Sequence, residues 1–223
     1  IIMNISMVIC GIDTNCGKSV ASILIYEYLK LYFSANPIIV KPMQTGQELD
    51  TIFYQQCDIP KKNIFNFYSL NIEASLHTAG NLTNQKIDLR SLLDQSKALL
   101  SENRPKIFEL AGGILSPIND KETMLDFVKL LKLPIILVVD NYLGSINHTL
   151  LTIHLLENKN IDILGLIYNN TDSRNYSTEL FEYITNNTRI PQIGKIPYLK
   201  NLKYVLKSEK EKQNLIREWH FNV

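Results

Sequence analysis

Cysteines are scarce in this sequence, and long apolar runs are missing. The three cysteines, Cys10, Cys16 and Cys57, are widely spaced and match no metal-ligand pattern, so we expect a reducing compartment. No apolar run approaches the roughly 18 residues that a transmembrane helix needs. The start of the chain lacks a basic region followed by an apolar stretch. We therefore expect no signal peptide, no membrane contact and a cytoplasmic protein.

An excess of charge of one sign is also missing. The sequence has 23 Lys and Arg against 22 Asp and Glu, which gives a net charge of +1. A nucleic-acid-binding protein would need clustered basic residues and a high pI, so we expect no nucleic-acid partner. The hydrophobic content of 45% over 223 residues is enough for a sizeable core. We therefore predict one α/β domain over residues 1–223.

The most informative stretch is residues 11–19, G-I-D-T-N-C-G-K-S. A short apolar segment precedes it, and apolar residues at helical spacing follow it. This order predicts a phosphate-binding loop, in which backbone N–H groups face an anion, Lys18 reaches the terminal phosphates and Ser19 can bind Mg²⁺. The first glycine lies one place earlier than in the strict pattern, where Ile12 stands. The alternative is an ordinary strand-to-helix turn that contains Gly-Lys-Ser by chance.

Apolar strands alternate with helical stretches along the rest of the chain. The predicted strands are 6–10, 38–41, 106–110, 135–139, 163–168 and 193–196. The predicted helices are 20–33, 89–101, 123–131, 145–157 and 177–186, with a further charged helix in 207–221 that docks Trp219. This alternation predicts a doubly wound, mostly parallel β-sheet with helices on both faces. Ligands in such folds bind beyond the carboxyl ends of the strands.

Charged residues follow two of these predicted strands. Lys41 ends the second strand, and Glu109 ends the third, where a Mg²⁺-coordinating carboxylate would lie. A solvated lysine and a glutamate that caps a turn are the alternatives. Glu48, Asp50 and Asp58 follow Lys41, and each is either a metal ligand or a surface carboxylate.

Two later strand ends carry weaker signals. Ser145 is a predicted helix N-cap, and the free N–H groups of that helix could bind a carboxylate or a phosphate, although capping alone explains the sequence equally well. Asn169 offers a donor and an acceptor that suit an adenine edge, although Asn is also a common turn residue.

Taken together, these motifs resemble those of dethiobiotin synthetase, the ATP-dependent enzyme of biotin synthesis. The loop at 11–19 is similar to the family's G-T-D-T-x-x-G-K-T, and the resemblance extends over most of the chain. Further similar stretches are Lys41-Pro42 with Thr45-Gly46 (family K-P-x-x-S-G), Glu109 with 111–113 (E-G-A-G-G), 143–148 (L-G-x-I-N-H) and Ser75-Leu76-His77 (S-P-H). Leu110 and Leu76 stand where the family has a glycine and a proline.

The resemblance implies substrates, cofactors and roles. ATP, CO₂ and 7,8-diaminononanoate would react through a carbamate and a carbamic-phosphoric anhydride to dethiobiotin. Lys18 and Lys41 would be catalytic, and Mg²⁺ would be held by Ser19, Asp50 and Glu109, with Asp50 preferred to Asp58. The resemblance also implies a homodimer with shared active sites. We further expect Lys18→Ala and Lys41→Ala to remove turnover and leave the fold intact.

The resemblance also assigns binding residues. The nucleotide would contact Asp13, Thr14, Asn15, Cys16, Gly17, Lys18, Ser19, Val20, Asn169 and Pro197. The diamine would contact Thr14, Lys41, Thr45, Ser75, Gly144, Ser145, Ile146 and Asn147. Two other classes stay open: a P-loop ATPase switch or partitioning protein, and an amidotransferase-type enzyme that acts on a cofactor precursor.

Overall fold

The computed structural model describes residues 5–47, 49–171 and 177–221, and within them seven strands form one sheet. The strands are β1 (Met7–Gly11), β2 (Ile38–Thr45), β3 (Ile64–Leu70), β4 (Lys106–Gly113), β5 (Ile135–Asp140), β6 (Ile163–Asn169) and β7 (Gln192–Ile196). Every pairing is parallel, in the order β3-β2-β4-β1-β5-β6-β7. The carboxyl ends of all seven strands therefore meet at one edge.

Helices connect these strands. Over the same residues they are α1 (Lys18–Phe33), α2 (Asp50–Gln56), α3 (Leu76–Thr83), α4 (Leu89–Leu100), α5 (Met124–Leu131), α6 (Ser145–Asn158), α7 (Ser177–Asn187), α8 (Leu202–Lys207) and α9 (Glu209–Ile216), with a 3₁₀ turn at Lys61–Asn63. The chain winds towards one edge from β1 to β2 and towards the other from β5 to β7. Because parallel crossovers are right-handed, α1 and α6 lie on opposite faces. The predicted doubly wound α/β fold is confirmed.

The central strands are buried on both faces, which explains their continuous apolar sequences. Every residue of β1 and β5 is buried. Trp219 docks onto the body of the protein, as the sequence predicted, because it is only 3% exposed. A Cβ on Gly194 would lie 2.6 Å from the Trp219 ring, so the glycine permits this close packing. None of the described helices is long and apolar enough to cross a membrane.

The strand predictions were wrong at three places, and one of them is β4, which was predicted to end at residue 110 and continues to Gly113. The second strand was predicted to end at Lys41, but β2 continues to Thr45. Pro42 is tolerated there since pairing with β4 ends at Val40 and the register with β3 skips the proline, which has no N–H. The edge strand β3 was missed because only β2 pairs with it and most of its residues are half-buried, which weakens the apolar pattern. The short helices α2 and α3 were missed as well.

Candidate active site

The phosphate loop lies between β1 and α1, as predicted. Asn15 and Gly17 have positive φ angles of 58° and 97°, which turn the chain sharply before α1 begins at Lys18. The Lys18 ammonium lies across the loop and donates to the Asp13 carbonyl oxygen at 2.7 Å. The loop thus holds its lysine over its own backbone.

Asn169, at the end of β6, holds the loop from the other side. Its amide nitrogen donates to the Cys16 carbonyl oxygen at 3.0 Å, and the side chain is buried. A Cβ on Gly17 would lie 2.1 Å from that nitrogen, so only glycine fits between the loop and β6. Pro197 follows β7 and is exposed. It lies beside the end of β6, because Asn169 is paired with Ile196, the residue before Pro197. Two residues predicted for the nucleotide thus lie at adjacent strand ends.

Four side chains from four elements form what we call the Lys41 cluster: Lys41, Asp50, Glu109 and Ser19. The Lys41 ammonium lies 2.7 Å from Asp50 Oδ2 and 2.7 Å from Glu109 Oε1. The Ser19 hydroxyl is 2.7 Å from Asp50 Oδ1 and 2.8 Å from Glu109 Oε1. Each of the two carboxylates therefore contacts both Ser19 and Lys41, so the structure brings all three predicted metal ligands and one predicted catalytic lysine together.

The other oxygen of Glu109 binds two residues that the sequence analysis missed. Ser22 Oγ donates to Glu109 Oε2 at 2.8 Å, and the Tyr54 hydroxyl donates to the same oxygen. Ser22 lies three residues after Ser19 on α1, so it shares a helix face with Ser19, and that spacing could have identified it. Tyr54 could be found only after α2 was recognised, since it lies one turn beyond Asp50.

Burial and the cluster's charges act in opposite directions on Lys41 and Asp50. Burial lowers the pKa of Lys41, but Glu109 and Asp50 outweigh it and hold that pKa above its usual value. Burial raises the pKa of Asp50, but Lys41 and the hydrogen bonds from Lys41 and Ser19 hold it below its usual value. Burial first, and then the charges of Glu109 and Asp50, raise the pKa of Tyr54 well above 10. Lys41 and Asp50 are thus charged at neutral pH, and Tyr54 is a hydrogen-bond donor.

The chemistry of these donors fits Mg²⁺ and a nucleotide. Mg²⁺ prefers oxygen ligands from one or two carboxylates together with phosphates, and Ser19, Asp50 and Glu109 supply hydroxyl and carboxylate oxygens side by side. The loop offers a backbone cradle at the N-terminus of α1, which suits a phosphate. Among the described residues no group of three or more His, Cys, Asp or Glu is clustered as a metal site. Any cation here would therefore depend on the serine hydroxyl and on phosphate oxygens.

The turn before α6 differs from its prediction by one residue. Gly144, with a φ of 99°, is the N-cap, so the prediction of Ser145 as cap was wrong. Ser145 is fully buried, and its hydroxyl donates to the Asp140 carbonyl oxygen at 2.6 Å. The N–H groups of Ile146 and Asn147 have no acceptor among the residues described here. The helix start thus still offers two donors to an anion.

A cavity of about 460 Å³ connects the phosphate loop with α6. Its lining includes Asp13 of the loop, Leu115 after β4, and His148 and Leu151 of α6. The Tyr142 hydroxyl lies 2.6 Å from His148 Nδ1. Burial, and then the charges of Asp13, Cys16 and Asp140, raise the pKa of Tyr142 to about 12. The cavity therefore has a polar end at the loop and an apolar wall formed by leucines.

The remaining candidates lie outside the Lys41 cluster. Thr45 ends β2, and Ser75 caps α3 by accepting a hydrogen bond from the Thr78 N–H at 3.2 Å. No hydrogen bond between described residues joins either one to Lys41. Asp58 is exposed after α2, so the structure brings Asp50 and not Asp58 to the cluster. Glu48 lies outside the described residues.

Comparisons of sequence show similarity over most of the chain. A family model described as an AAA domain matches residues 6–205. The ATP-dependent dethiobiotin synthetase BioD of Lysinibacillus sphaericus (strain C3-41) is 35% identical over 174 residues, which cover 72% of this chain and 74% of the relative. The protein of the same name from Halalkalibacterium halodurans is 31% identical over 227 residues, covering 96% of this chain and 93% of the relative.

Comparisons of structure show the fold. The septum site-determining protein MinD of Pyrococcus horikoshii OT3, complexed with Mg-ADP, aligns with a TM-score of 0.64 at 13% identity over 96% of this chain and 93% of that one. A putative plasmid partition protein of Borrelia burgdorferi B31, bound to AMPPNP, aligns with a TM-score of 0.60 at 17% identity over 96% and 97%. At such low identity these alignments show the fold alone.

The sequence relatives confirm the resemblance that the short motifs indicated, and they favour a biosynthetic ligase over the two alternative classes. The chain belongs to the family of the ATP-dependent dethiobiotin synthetases and is an ATP-dependent ligase of biotin synthesis.

Proposed function

We propose that this enzyme carboxylates 7,8-diaminononanoate with CO₂ and closes the ureido ring of dethiobiotin, with ATP as the phosphoryl donor. The observation that carries the proposal is the Lys41 cluster, which places a buried ammonium 2.7 Å from each of two carboxylates next to the phosphate loop. The names of the relatives supply the product.

The proposed chemistry has three steps. One amine of the diamine attacks CO₂, a C–N bond forms and a proton leaves, which gives a carbamate. A carbamate oxygen then attacks the γ-phosphorus, the bond to ADP breaks and a carbamic-phosphoric anhydride forms. The second amine attacks the carbamoyl carbon, loses a proton and expels phosphate as the ring closes. Such steps require positioning and charge neutralisation more than covalent chemistry by the protein.

The two lysines supply positive charge at different points. Lys18 acts on the terminal phosphates from the loop, and Lys41 acts on the carbamate and the transferring group. Lys41 donates to Asp50, to Glu109 and to the Leu110 carbonyl oxygen at 3.3 Å, so its three N–H groups are all used and it must give up one of these partners to reach a carbamate. Ser19, Asp50 and Glu109 would hold Mg²⁺, which neutralises phosphate charge when it is bound.

The remaining predicted residues fall into two groups in this proposal. The nucleotide is held by loop residues and by the ends of β6 and β7, namely Asp13, Thr14, Asn15, Cys16, Gly17, Val20, Asn169 and Pro197. The reacting amines are bound by Thr14, Thr45 and Ser75. The distal carboxylate is bound at the start of α6, where the N–H groups of Ile146 and Asn147 follow Gly144 and Ser145.

A second copy of the chain completes the cavity in this proposal. Leu151 and Leu115 line the cavity and are 61% and 58% exposed, and Leu143 in the adjacent turn is fully exposed. Apolar side chains grouped in this way favour an interface between subunits. Each turn at Gly144 would then serve the phosphate loop of the partner. We also propose a cytoplasmic location, which the free, buried state of all three cysteines supports.

Nucleotide turnover with each substrate omitted in turn tests this function. ADP release should require Mg²⁺, the diamine and bicarbonate together, and mass spectrometry should detect dethiobiotin. Lys18→Ala should abolish release in the complete mixture and serves as the negative control. ADP release that proceeds equally well without the diamine would instead support the switch or partitioning class.

A further inference from the structure

The Glu109 carboxylate has no unused acceptor position in this structure. A carboxylate offers about four lone-pair sites. Ser19 and Lys41 donate to Oε1, while Ser22 and Tyr54 donate to Oε2, and the side chain is fully buried. The two oxygens therefore differ in role: Oε1 belongs to the Lys41 cluster, and Oε2 is bound by residues outside it.

Tyr54 connects this carboxylate to α2. The tyrosine is fully buried, and its hydroxyl donates to Glu109, whereas Asp50 lies one turn earlier on the same helix. Asp50 and Tyr54 are four residues apart, so they share one helix face. The N-cap of α2 is Leu49, which makes no capping side-chain hydrogen bond, so the helix start is fixed by other contacts.

We propose that Tyr54 is a positioning residue that fixes α2 against Glu109 and thereby sets the separation of the Asp50 and Glu109 carboxylates. This inference rests on the proposed function, since those carboxylates are its metal ligands. In this proposal Tyr54 itself would bind neither phosphate nor metal. Its hydroxyl holds Oε2, so that Oε1 keeps its orientation towards Ser19 and Asp50. Without the hydroxyl, the carboxylate and α2 can move independently.

A second buried tyrosine provides a matched control. Tyr26 on α1 is 3% exposed, and its hydroxyl accepts a hydrogen bond from Asn63 Nδ2 at 2.7 Å. Tyr26→Phe thus removes the same atom from a buried hydrogen bond that has no connection to Glu109. Both variants should lose thermal stability, and Tyr54→Phe should lose more because its hydrogen bond is made to a charged carboxylate. Only a positioning role predicts a difference between them in metal dependence.

The first measurement is the affinity for ADP and for a non-hydrolysable ATP analogue, by calorimetry over a range of Mg²⁺ concentrations and without diamine. Tyr54→Phe should raise the Mg²⁺ concentration needed for tight binding by about tenfold, the lower end for loss of a residue that orients a metal ligand. Tyr26→Phe should leave it unchanged. Ser22→Ala, which removes the other donor to Oε2, should produce a smaller shift in the same direction.

The second measurement shows whether Tyr54 acts through Glu109. In a Glu109→Gln background, the further change Tyr54→Phe should have little effect on the Mg²⁺ requirement, because the acceptor it orients is already altered. An equal shift in both backgrounds, or none in either, overturns the proposal. Since no diamine is present, failure of diamine-dependent turnover would overturn the proposed reaction and leave this result intact.

Discussion

Lys41 and Glu109 form their 2.7 Å ion pair immediately beyond the last residues at which their strands pair. β2 and β4 are in register through Val40 and Phe108, and the next residue on each strand belongs to the pair. The Lys41 and Glu109 side chains therefore join β2 to β4 just beyond the point where backbone pairing between these strands ends. This places the pair in the space between diverging strand ends, where a ligand can enter.

Removing the ammonium should lower stability as well as activity. Lys41→Met leaves two carboxylates without their cation, and breaking a buried pair in this way costs about 3–5 kcal/mol. Denaturant unfolding should show this loss. Lys86→Met is the control, because Lys86 and its partner Asp120 are 64% and 47% exposed, and an ion pair at the surface contributes little to stability.

This result would revise the expectation that Lys41→Ala leaves the fold intact. The double variant Lys41→Met with Glu109→Gln removes one charge of each sign and should recover part of the lost free energy of unfolding. A stability of Lys41→Met equal to wild type would show that the cluster is hydrated in solution.

Gly17→Ala should abolish nucleotide binding. The new Cβ would lie 2.1 Å from Asn169 Nδ2, and a φ of 97° adds about 1–2 kcal/mol of backbone strain for a residue with a side chain. Gly144→Ala provides the control, because its φ is 99° but nothing lies within 4 Å of the added Cβ. Calorimetry should thus show normal nucleotide affinity for Gly144→Ala. Loss of affinity in both variants would assign the effect to strain alone.

Shared active sites can be tested by mixing two inactive variants. Lys18→Ala removes the loop lysine, and Asn147→Asp places a negative charge beside the proposed carboxylate anchor. If each site combines a loop with the partner's turn, a heterodimer contains one intact site, so an equal mixture should reach about a quarter of wild-type turnover. A mixture no more active than its parents would place each site within one chain.

The same interface has a direct physical test. Leu151→Glu should convert a dimer to a monomer in sedimentation, because it buries an unpaired charge at the proposed contact. Leu82→Glu, at a 67% exposed leucine of α3, should leave the oligomeric state unchanged.

Asp126, which lies away from the candidate active site, should make the stability of the fold depend on pH. It forms a capping box with Thr123 at the start of α5, and the hydrogen bond from the Thr123 N–H lowers its pKa, an effect that partial burial only partly opposes. A lowered folded-state pKa means stabilisation that is complete above the unfolded pKa near 3.9 and is lost as the pH falls below it. Asp126→Ala should therefore cost about 1 kcal/mol at pH 7 and progressively less in acid. A cost independent of pH would contradict this.

The sequence predicted the parts of the site that depend on local pattern. An apolar strand followed by a charged residue identified Lys41 and Glu109, and the glycine-bounded loop identified Lys18. Tyr54 was missed because its role depends on which residues the fold brings near Glu109, and no local pattern encodes that. Ser22 was missed although its helical spacing from Ser19 is visible in the sequence, because the sequence does not show that this face of α1 meets Glu109. The cap at Gly144 was missed because serine is the more common N-cap, whereas here the serine hydroxyl is used inside the fold.

The position of β1 in the sheet constrains how the chain can fold. β1 precedes the other six described strands along the chain, yet its neighbours are β4 and β5, and Val8 pairs with both Phe108 and Ile135. Long segments must close before β1 gains either neighbour, which slows folding and leaves an apolar strand exposed to aggregation in the meantime. The phosphate loop follows β1 directly, so a fragment that ends before β5 should bind no nucleotide.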